Sequence, residues 1–277
     1  MADSPREAAQ EDHVPGRARP WRPGIAVRLT FLFHLAAVIA LLARPSWWPV
    51  AALVANHLAL GLIGMWPRSR LLGDNMLRLP DAAARRGEIA VTFDDGPHPE
   101  VTPKVLDILD RYGAKASFFC VGEKAAAHPD IVREIVRRGH TIENHSMRHS
   151  GFFGFYGPAA LRRDIGAAQS VLGGIAGGPP HFFRAPMGIR NPMLDPVMAR
   201  LGLHYVTWTR RGFDTIARDP AVVLERLSED LAAGDILLLH DRRSVHGEPI
   251  VLTVLPALLE KLSAAGLKPV SLTMAMR

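Results

Sequence analysis

The feature that most constrains the fold of this 277-residue chain is a regular alternation of short, apolar, β-rich segments with helical patterns from residue 88 onward. Residues 89–93 and 116–120 have the composition of buried strands, and residues 102–112 between them carry apolar side chains at helical spacing. Strands that alternate with helices run parallel, so the pattern predicts an α/β fold whose sheet closes, or nearly closes, into a (β/α) barrel. Further strands are predicted at residues 140–143, 181–183, 204–208, 236–239 and 269–272, and further helices at residues 129–138, 158–172, 192–201, 221–233 and 249–265.

Polar residues follow many of the predicted strands directly. They are Asp94, Asp95, His145, Arg184, Trp208 and His240. In a (β/α) barrel the carboxyl ends of the strands share one face, where active sites lie. Core packing alone would not place polar side chains at so many strand ends. The pattern therefore predicts an active site on this face.

These residue types favour a metal site. One carboxylate of Asp94-Asp95, together with His145 and His149, gives a facial set of ligands for a divalent metal, with positions left open for water and substrate. The two histidines are four residues apart, a spacing that brings both rings to one side of a helical turn. The second carboxylate is a natural base for the water, which predicts metal-assisted hydrolysis. The competing interpretation of residues 94–97 is an ordinary turn rich in Asp, Gly and Pro.

Two apolar runs precede this region. Residues 25–43 and 50–66 are each close to the ~20 residues that cross a bilayer. Trp47 and Trp48 lie between them, flanked by prolines, a composition typical of a turn at a membrane interface. The runs predict a transmembrane hairpin of two helices. A signal peptide is one alternative, which the lack of a small-residue cleavage site disfavours, and a buried helical pair is the other.

The predicted domain organisation has four parts. A disordered basic tail at residues 1–24 precedes the hairpin at residues 25–66, and a linker at residues 67–87 leads to a catalytic domain at residues 88–277. The net charge of +6 is not accompanied by a basic-aromatic motif, so nucleic acid is not an expected partner. Cys120 is the only cysteine of the chain, which excludes a disulfide within it.

The distribution of arginines predicts the orientation of the hairpin. Both outer flanks are rich in arginine, whereas the connecting loop contains only Arg44. The flanking residues are Arg17, Arg19, Arg22, Arg28, Arg68, Arg70 and Arg78. By the positive-inside rule both ends face the cytoplasm. We therefore expect a multi-pass protein of a bacterial inner membrane, with the lipid bilayer as a partner and the catalytic domain on the cytoplasmic side.

Five short motifs resemble those of the polysaccharide deacetylases, the NodB-homology group of carbohydrate esterases, over about two-thirds of the chain from residue 88. The first, second, third and fifth motifs match at residues 92–97, 145–149, 184–188 and 238–241. The fourth match is looser and rests on Trp208 and Asp214. The resemblance implies a distorted, seven-stranded barrel. It also implies that Asp95, His145 and His149 hold the metal, most consistent with Zn²⁺, although Co²⁺, Ni²⁺ or Fe²⁺ suit the same ligands.

The resemblance also implies roles for four other residues. Asp94 would take a proton from the attacking water, and Arg184 would orient Asp94. His240 would protonate the departing amine, and Asp214 would hold His240 in its protonated form. The alternatives are a surface ion pair for Arg184 and a helix or turn cap for Asp214.

The chain departs from the family pattern at two positions. Met187 stands where many relatives have an aromatic residue that lines the sugar groove, and Thr215 replaces a tryptophan often found after the aspartate of the fourth motif. Both changes weaken the case for a long polymer stacked in a groove. The glycine-flanked aromatic segment at residues 151–157 is either a packed loop or a contact for a lipid or the bilayer surface.

Together these features predict hydrolysis of the N-acetyl group of an amino sugar, an N-acetylhexosamine. We expect the substrate to be a membrane-associated or polyprenyl-phosphate-linked glycan used in envelope or lipid A modification of lipopolysaccharide. The alternatives are deacetylation of a polymer (peptidoglycan, a chitin-like oligomer or exopolysaccharide) and deformylation of a lipid-linked formamido sugar. A catalytically silent sugar-binding protein is disfavoured, because Asp94, Asp95, His145, His149 and His240 are all present.

Overall fold

The predicted catalytic region, residues 88–277, is built on one parallel β-sheet. The computed structural model describes residues 18–243 and 248–277, so most of the predicted tail lies outside the described residues. Within them the strands are β1 (Glu88–Asp94), β2 (Ser117–Cys120), β3 (Thr141–Asn144), β4 (Phe182–Phe183), β5 (His204–Tyr205), β6 (Arg210–Arg211), β7 (Ile236–His240) and β8 (Lys268–Val270). The predicted strands at residues 89–93 and 236–239 thus lie inside β1 and β7. β6 was not predicted, because two consecutive arginines carry no apolar pattern.

The sheet is a curled half-barrel with seven strand positions. Its order is β5-β4-β3-β2-β1-β7-β6, and every pairing along it is parallel. β8 pairs with β1 at residues 88–90, whereas β2 pairs with the same strand at residues 92–94. Since Ala90 is paired with both β7 and β8, β8 and β2 must share the other edge of β1. The predicted α/β fold with a distorted, seven-stranded parallel barrel is confirmed.

Helices cover the outer face of this sheet. In chain order the described helices are α1 (Ile25–Ala43), α2 (Trp48–Gly64), α3 (Asp81–Arg85), α4 (Thr102–Arg111), α5 (Gly122–Ala127), α6 (Pro129–Arg137), α7 (Pro158–Ala176), α8 (Leu194–Leu201), α9 (Pro220–Ser228), α10 (Ile250–Ala264) and α11 (Leu272–Ala275). Proline begins α6, α7 and α9, where its missing N–H removes no helical hydrogen bond. The main core lies between the outer helices and the sheet, and Phe93 and Phe118 stack there at 4.9 Å.

The segment between α2 and β1 closes the open side of the sheet. The Met76 N–H donates to the Tyr205 carbonyl, and the Thr207 N–H donates to the Met76 carbonyl, each at 3.0 Å. Leu79 then donates to Gly234, just before β7, at 2.8 Å. The segment therefore pairs with backbone on both sides of the gap between the two edge strands, which satisfies groups that would otherwise face solvent.

The two N-terminal helices form an antiparallel pair that is apolar on all sides. Leu32 is 64% exposed and Leu42 is 81% exposed. Between the helices, Thr30 and Asn56 exchange hydrogen bonds of 3.2–3.3 Å, and the rings of His34 and His57 meet edge to face at 5.1 Å. By length and composition α1, with 19 residues, can cross a membrane, while α2 is shorter, with 17 residues. Helices that are apolar all round and exposed are typical of membrane segments.

The start of α1 and the end of α2 are both bound by residues that follow the helical pair in the chain. Near the start of α1 the Ala26 N–H donates to the Leu71 carbonyl at 3.0 Å, and at the end of α2 the Gly64 carbonyl accepts from the Arg190 N–H at 3.1 Å. The buried Arg190 guanidinium also donates to the carbonyls of Ser69 and Gly73. The predicted catalytic region therefore lies directly against the end of α2, while the start of α1 lies against the segment that joins α2 to β1.

Candidate active site

The polar residues that follow the strands gather on one face, at the carboxyl ends of the strands. Asp94 is the last residue of β1, His240 is the last residue of β7, and His145 comes directly after β3. A cavity of about 150 Å³ opens there and is lined by these three residues together with Asp95 and His149. The parallel sheet brings them together because all its carboxyl ends point the same way.

Asp95, His145 and His149 converge on one point. Asp95 Oδ1 lies 3.4 Å from His145 Nε2 and 3.1 Å from His149 Nε2, and the three potential ligand atoms all lie within 4.8 Å of one another. Asp95 adopts a positive φ of 73°, a conformation that Asp tolerates better than most residues and that belongs to the turn after β1. One carboxylate and two imidazoles at these distances suit a divalent metal.

The expectation that the two histidines share a helical turn is wrong. Residues 145–149 form a loop in which Ser146 and His149 both have positive φ. Side chains hold this loop, since Asn144 Oδ1 accepts from the Ser146 N–H and Ser146 Oγ accepts from the His149 N–H. The rings still meet, with centroids 4.9 Å apart. The spacing of four residues therefore pointed to the right pair through the wrong local structure.

The hydrogen bond of His145 and the pKa of His149 both fit a metal site. The His145 Nδ1–H donates to the carbonyl of Arg184 at 2.8 Å; because a carbonyl can only accept, the lone pair of His145 lies on Nε2, which faces Asp95. Burial and the neighbouring His145 lower the pKa of His149, so that its ring is neutral near neutral pH. A divalent metal binds an imidazole through the lone pair of its neutral form, so this arrangement beside a carboxylate suits a metal site.

The carboxylate of Asp95 is stabilised in its ionised form. Burial alone would raise the pKa of Asp95, but the hydrogen bond with His145 and the proximity of three histidines, His145, His240 and His149, outweigh burial and hold that pKa well below its usual range. The second oxygen, Oδ2, accepts from Nη1 of Arg242 at 3.2 Å. Arg242 follows the fifth motif by one residue, and no pattern in the sequence marked it as part of the site.

Asp94 is held by a fully buried arginine. Arg184 Nη1 donates to Asp94 Oδ1 at 2.6 Å and to Thr92 Oγ1 at 2.9 Å, and Nη2 donates to the Thr207 carbonyl. The guanidinium lies over the Phe119 ring at 4.1 Å. Burial lowers the pKa of Arg184, opposed by the charge of Asp94. The alternative that Arg184 forms a surface ion pair is wrong, since its side chain is 0% exposed.

The other oxygen of Asp94 faces the convergent triad. Asp94 Oδ2 lies 3.9 Å from His145 Nε2, while Oδ1 is engaged by Arg184. A carboxylate with one oxygen fixed by an arginine and the other facing a cavity is well placed to accept a proton there.

His240, at the end of β7, is held by Asp214. Asp214 follows β6, and its Oδ1 accepts from His240 Nδ1 at 2.8 Å. Burial alone would lower the pKa of His240, but the charge and hydrogen bond of Asp214, with the charges of Asp94 and Asp95, raise it above its ordinary value. The result is an imidazole that favours its protonated form and can donate from Nε2. Asp214 does not cap a helix; Asp219 caps α9 instead.

The remaining cavity wall consists of residues from the third and fourth motifs. Met187, Gly188, Trp208 and Thr215 line it, so both departures from the family pattern lie at the site itself. Met187 is 43% exposed, whereas Trp208 is 6% exposed and forms buried wall. Arg211 also lines the cavity; it lies between Trp208 and Asp214 of the fourth motif, but nothing in the sequence indicated a role of its own for it.

Comparison with known proteins identifies the class. A family model described as polysaccharide deacetylase matches residues 81–206. The chain is 36% identical over 157 residues to a chitooligosaccharide deacetylase of Azorhizobium caulinodans, a match that covers 56% of this chain and 74% of the relative. The chain therefore belongs to the polysaccharide deacetylase family, which confirms the predicted family and the predicted enzyme class, a hydrolase of N-acetyl amide bonds.

Two further similarities agree in sequence and structure. A peptidoglycan-N-acetylglucosamine deacetylase of Bacillus cereus is 33% identical over 155 residues, which is 55% of this chain and 72% of that protein. A family 4 acetyl xylan esterase of Clostridium thermocellum, solved in complex with a cobalt ion, superposes with a TM-score of 0.61 at 33% identity, covering 68% of this chain and 89% of that one. Enzymes of this family are metal-dependent, and the triad of Asp95, His145 and His149 is the corresponding candidate site here.

Proposed function

We propose that this protein is a metal-dependent N-deacetylase of an amino sugar, and that its substrate is a membrane-associated glycan whose sugar is carried on a polyprenyl phosphate. The observation that carries the reaction is the convergence of three groups on one small cavity. These are a triad of potential metal ligands, a carboxylate held by Arg184 and an imidazole held by Asp214.

In the proposed reaction each residue has one task. A divalent metal held by Asp95, His145 and His149 would supply Lewis acidity toward the acyl carbonyl and toward water. Asp94 accepts the proton of the water that attacks the N-acetyl carbon. His240, which lines the same cavity from the end of the neighbouring strand β7, donates a proton to the amine, which leaves poorly as an anion. Acetate and a free amino sugar are the products.

The position of the cavity supports a membrane-associated substrate. Gly188 lines the cavity, and a Cβ at this residue would lie 2.8 Å from Pro67, which follows α2 by three residues. The adjacent Arg68 donates from Nη2 to the carbonyl of Thr209, one residue after Trp208 in the cavity wall. If α1 and α2 span the bilayer, the cavity opens close to its surface.

Exposed aromatic residues near the end of α2 support the same assignment. Phe152 and Phe155 are 74% and 85% exposed, although the loop that carries them is held in place by the buried Phe153. Asn191 Nδ2 donates to the carbonyls of Gly154 and Tyr156 at 2.9 Å and 3.0 Å, next to the residue that binds the end of α2. A rigid loop that presents two phenylalanines to solvent suits contact with lipid.

The helical pair would anchor the protein with both ends on the side of the catalytic region. We propose that this side is the cytoplasm, because the flanks carry most of the nearby arginines and the connecting loop has one. Fusions of alkaline phosphatase and of green fluorescent protein to the C-terminus test this orientation. Fluorescence without phosphatase activity is the expected result, and strong phosphatase activity would contradict it.

The reaction and the substrate are tested together by one assay. Detergent-purified full-length protein is given polyprenyl-phosphate-linked N-acetylhexosamine, with and without chelator and added Zn²⁺, and acetate is measured. Acetate release that is abolished by the chelator and restored by the metal is expected. If the metal-loaded protein releases acetate from free chitooligosaccharides and ignores the lipid-linked sugar, the lipid-carrier part of the proposal is wrong.

A polymeric glycan is the second candidate substrate, favoured by the activities named for the relatives from Azorhizobium caulinodans and Bacillus cereus. Against it, Met187 and Thr215 line the cavity where an aromatic wall would stack sugar rings. If the natural substrate is a lipid-linked sugar, we expect equal acetate release from the N-acetylglucosamine monosaccharide and from its tetramer. A steep rise with chain length would favour the polymer.

A further inference from the structure

Arg211 is an arginine of the cavity wall that has no acidic partner within residues 18–243 and 248–277, the part of the chain that the structure describes. Its guanidinium lies over the ring of Trp208 at 5.2 Å and over the ring of Phe213 at 4.8 Å. No ion pair involves it among the residues that the structure describes, and its Nε–H is buried without an acceptor. Arginines usually lose part of their hydration only where other groups satisfy them. Here aromatic faces hold the cation in place and leave its N–H groups free.

Neighbouring arginines show what a structural role looks like in this fold. Arg210, the adjacent residue in β6, pairs with Asp235 at 3.1 Å. Arg184 is paired with Asp94, and Arg190 binds several carbonyls together with Asp195. Each of these cations is compensated by the protein, whereas Arg211 is not.

A second arginine faces the same cavity. Arg242 lines the cavity with a side chain that is 37% exposed. Its contact with Asp95 Oδ2, at 3.2 Å, is made by Nη1 and leaves the other N–H groups of the guanidinium for a ligand. The two acidic residues of the lining, Asp94 and Asp95, are thus matched by Arg184 and Arg242. The charge of Arg211 remains without a carboxylate of its own in the cavity that is proposed to hold the sugar.

We propose that Arg211, assisted by Arg242, binds an oxyanion covalently attached to the N-acetylated sugar and so selects anionic substrates over neutral ones. This inference rests on the proposed function, because it concerns the same cavity. The planar guanidinium of an arginine binds phosphate or carboxylate with two parallel hydrogen bonds. Stacking on the two aromatic rings holds the guanidinium of Arg211 in the fixed orientation that such binding needs. The anion is either the phosphate of a lipid carrier or the carboxylate of an acidic sugar.

The test compares three ligands that share one sugar. They are glucosamine 1-phosphate, a disaccharide of glucosamine with a uronic acid, and methyl glucosaminide, which has no acidic group and whose N-acetylated form is the neutral sugar of the comparison. Their binding to zinc-loaded full-length protein in detergent is measured by calorimetry, and acetate release is measured from their N-acetylated forms. Arg211→Gln is compared with the wild type, and Arg226→Gln is the matched control, because Arg226 also lies over Phe213, at 5.6 Å, but does not line the cavity.

We expect the wild type to bind one anionic ligand at least about 10-fold more tightly than methyl glucosaminide. Arg211→Gln should reduce that preference by a factor of roughly 10 to 100, which is the usual contribution of a charged hydrogen bond. Arg226→Gln should keep the preference. The anionic ligand bound more tightly identifies the source, phosphate or carboxylate. Arg211→Lys should retain only part of the effect, since a lysine keeps the charge but not the fork.

Failure of this inference can be told apart from failure of the proposed function. If the wild type releases acetate from the neutral and anionic sugars equally well and Arg211→Gln changes neither, the anion site is refuted and the deacetylase proposal stands. If none of the sugars releases acetate but the anionic preference in binding depends on Arg211, the anion site stands. Equal binding of all three ligands by the wild type overturns it.

Discussion

Asp214 accepts two hydrogen bonds from a single residue, His240: one from its backbone N–H and one from its Nδ1–H, each at 2.8 Å. The carboxylate fixes both the position of the strand end and the orientation of the ring. Since the carboxylate only accepts, the proton on Nδ1 is assigned, and Nε2 is the nitrogen that can donate to a leaving group. A residue in an irregular segment after β6 thus sets the protonation of the last residue of β7.

We expect Asp214→Asn to shift the pH dependence of turnover. His240 must be protonated to act as an acid, so activity falls as pH rises through the pKa of His240. That pKa is raised mainly by Asp214 against the effect of burial, and loss of the charge lowers it. The alkaline limb of the kcat profile should therefore move to lower pH. Asp219→Asn, at the exposed N-cap of α9, is the control, and an unmoved limb in Asp214→Asn would contradict the assignment.

Asp94→Asn should remove the base and leave the metal site intact. The amide still accepts from Arg184 but cannot take a proton, so kcat should fall by about 10²- to 10⁴-fold. Metal content measured by mass spectrometry should equal that of the wild type, because Asp94 is not a member of the triad.

The same substitution, Asp94→Asn, should also lower stability. It leaves the Arg184 guanidinium buried without a negative partner, a change that typically costs about 3–5 kcal/mol. Chemical denaturation should show this loss. Near-normal activity in the variant would rule out Asp94 as the base, whatever its stability.

His149→Ala should weaken metal binding specifically. His149 is the most exposed member of the triad, with 29% of its side chain accessible, so its removal should disturb packing less than removal of His145. We expect affinity for Zn²⁺, measured by competition with a chromophoric chelator, to fall by more than the roughly 10- to 100-fold typical of losing an outer partner. His128→Ala, at the start of α6, should bind like the wild type. Equal affinity in both variants would refute the triad.

Glu143→Gln should flatten the dependence of stability on pH. Burial raises the pKa of Glu143 from 4.5 to about 7. A raised carboxyl pKa means that the folded state prefers the neutral form. The contribution of Glu143 to the free energy of unfolding is therefore fully present below about pH 4.5. It is lost as pH rises through about 7, and the loss is at most about 3 kcal/mol. The neutral Gln removes this slope.

Urea unfolding at about pH 5 and about pH 7.5 measures the effect. The difference in unfolding free energy between the two conditions should be smaller in Glu143→Gln than in the wild type. Some slope remains, because burial also raises the pKa of Asp241 to about 7. An unchanged difference would show that Glu143 is not buried as an acid.

Much of the site could be predicted from the sequence because its residue types lie at recognisable places. Asp94, His145 and His240 stand at the ends of apolar strands, and parallel strands bring their carboxyl ends to one face. That argument needs only local patterns and a general property of α/β folds. The short strand β6 could not be predicted in this way, because its two arginines form no apolar pattern.

Contacts between distant segments were beyond the reach of local patterns. The carbonyl of Arg184 selects the tautomer of His145 from 39 residues away, and Asp214 reaches His240 across 26 residues. The loop that joins His145 to His149 has positive φ at two residues, whereas their spacing alone pointed to a helical turn. The unpaired state of Arg211 likewise depends on which neighbours do not reach it.

The sequence by itself determined the alternation of elements, the family and the residues able to perform the chemistry, because hydrophobic periodicity and residue type are local properties of the chain. Only the tertiary structure decided which oxygen meets which nitrogen, that segment 74–79 closes the sheet, and that the cavity lies beside the end of α2. The physical reason is that hydrogen bonds depend on distances of a few tenths of an ångström, which are set by strand register and packing across the whole fold.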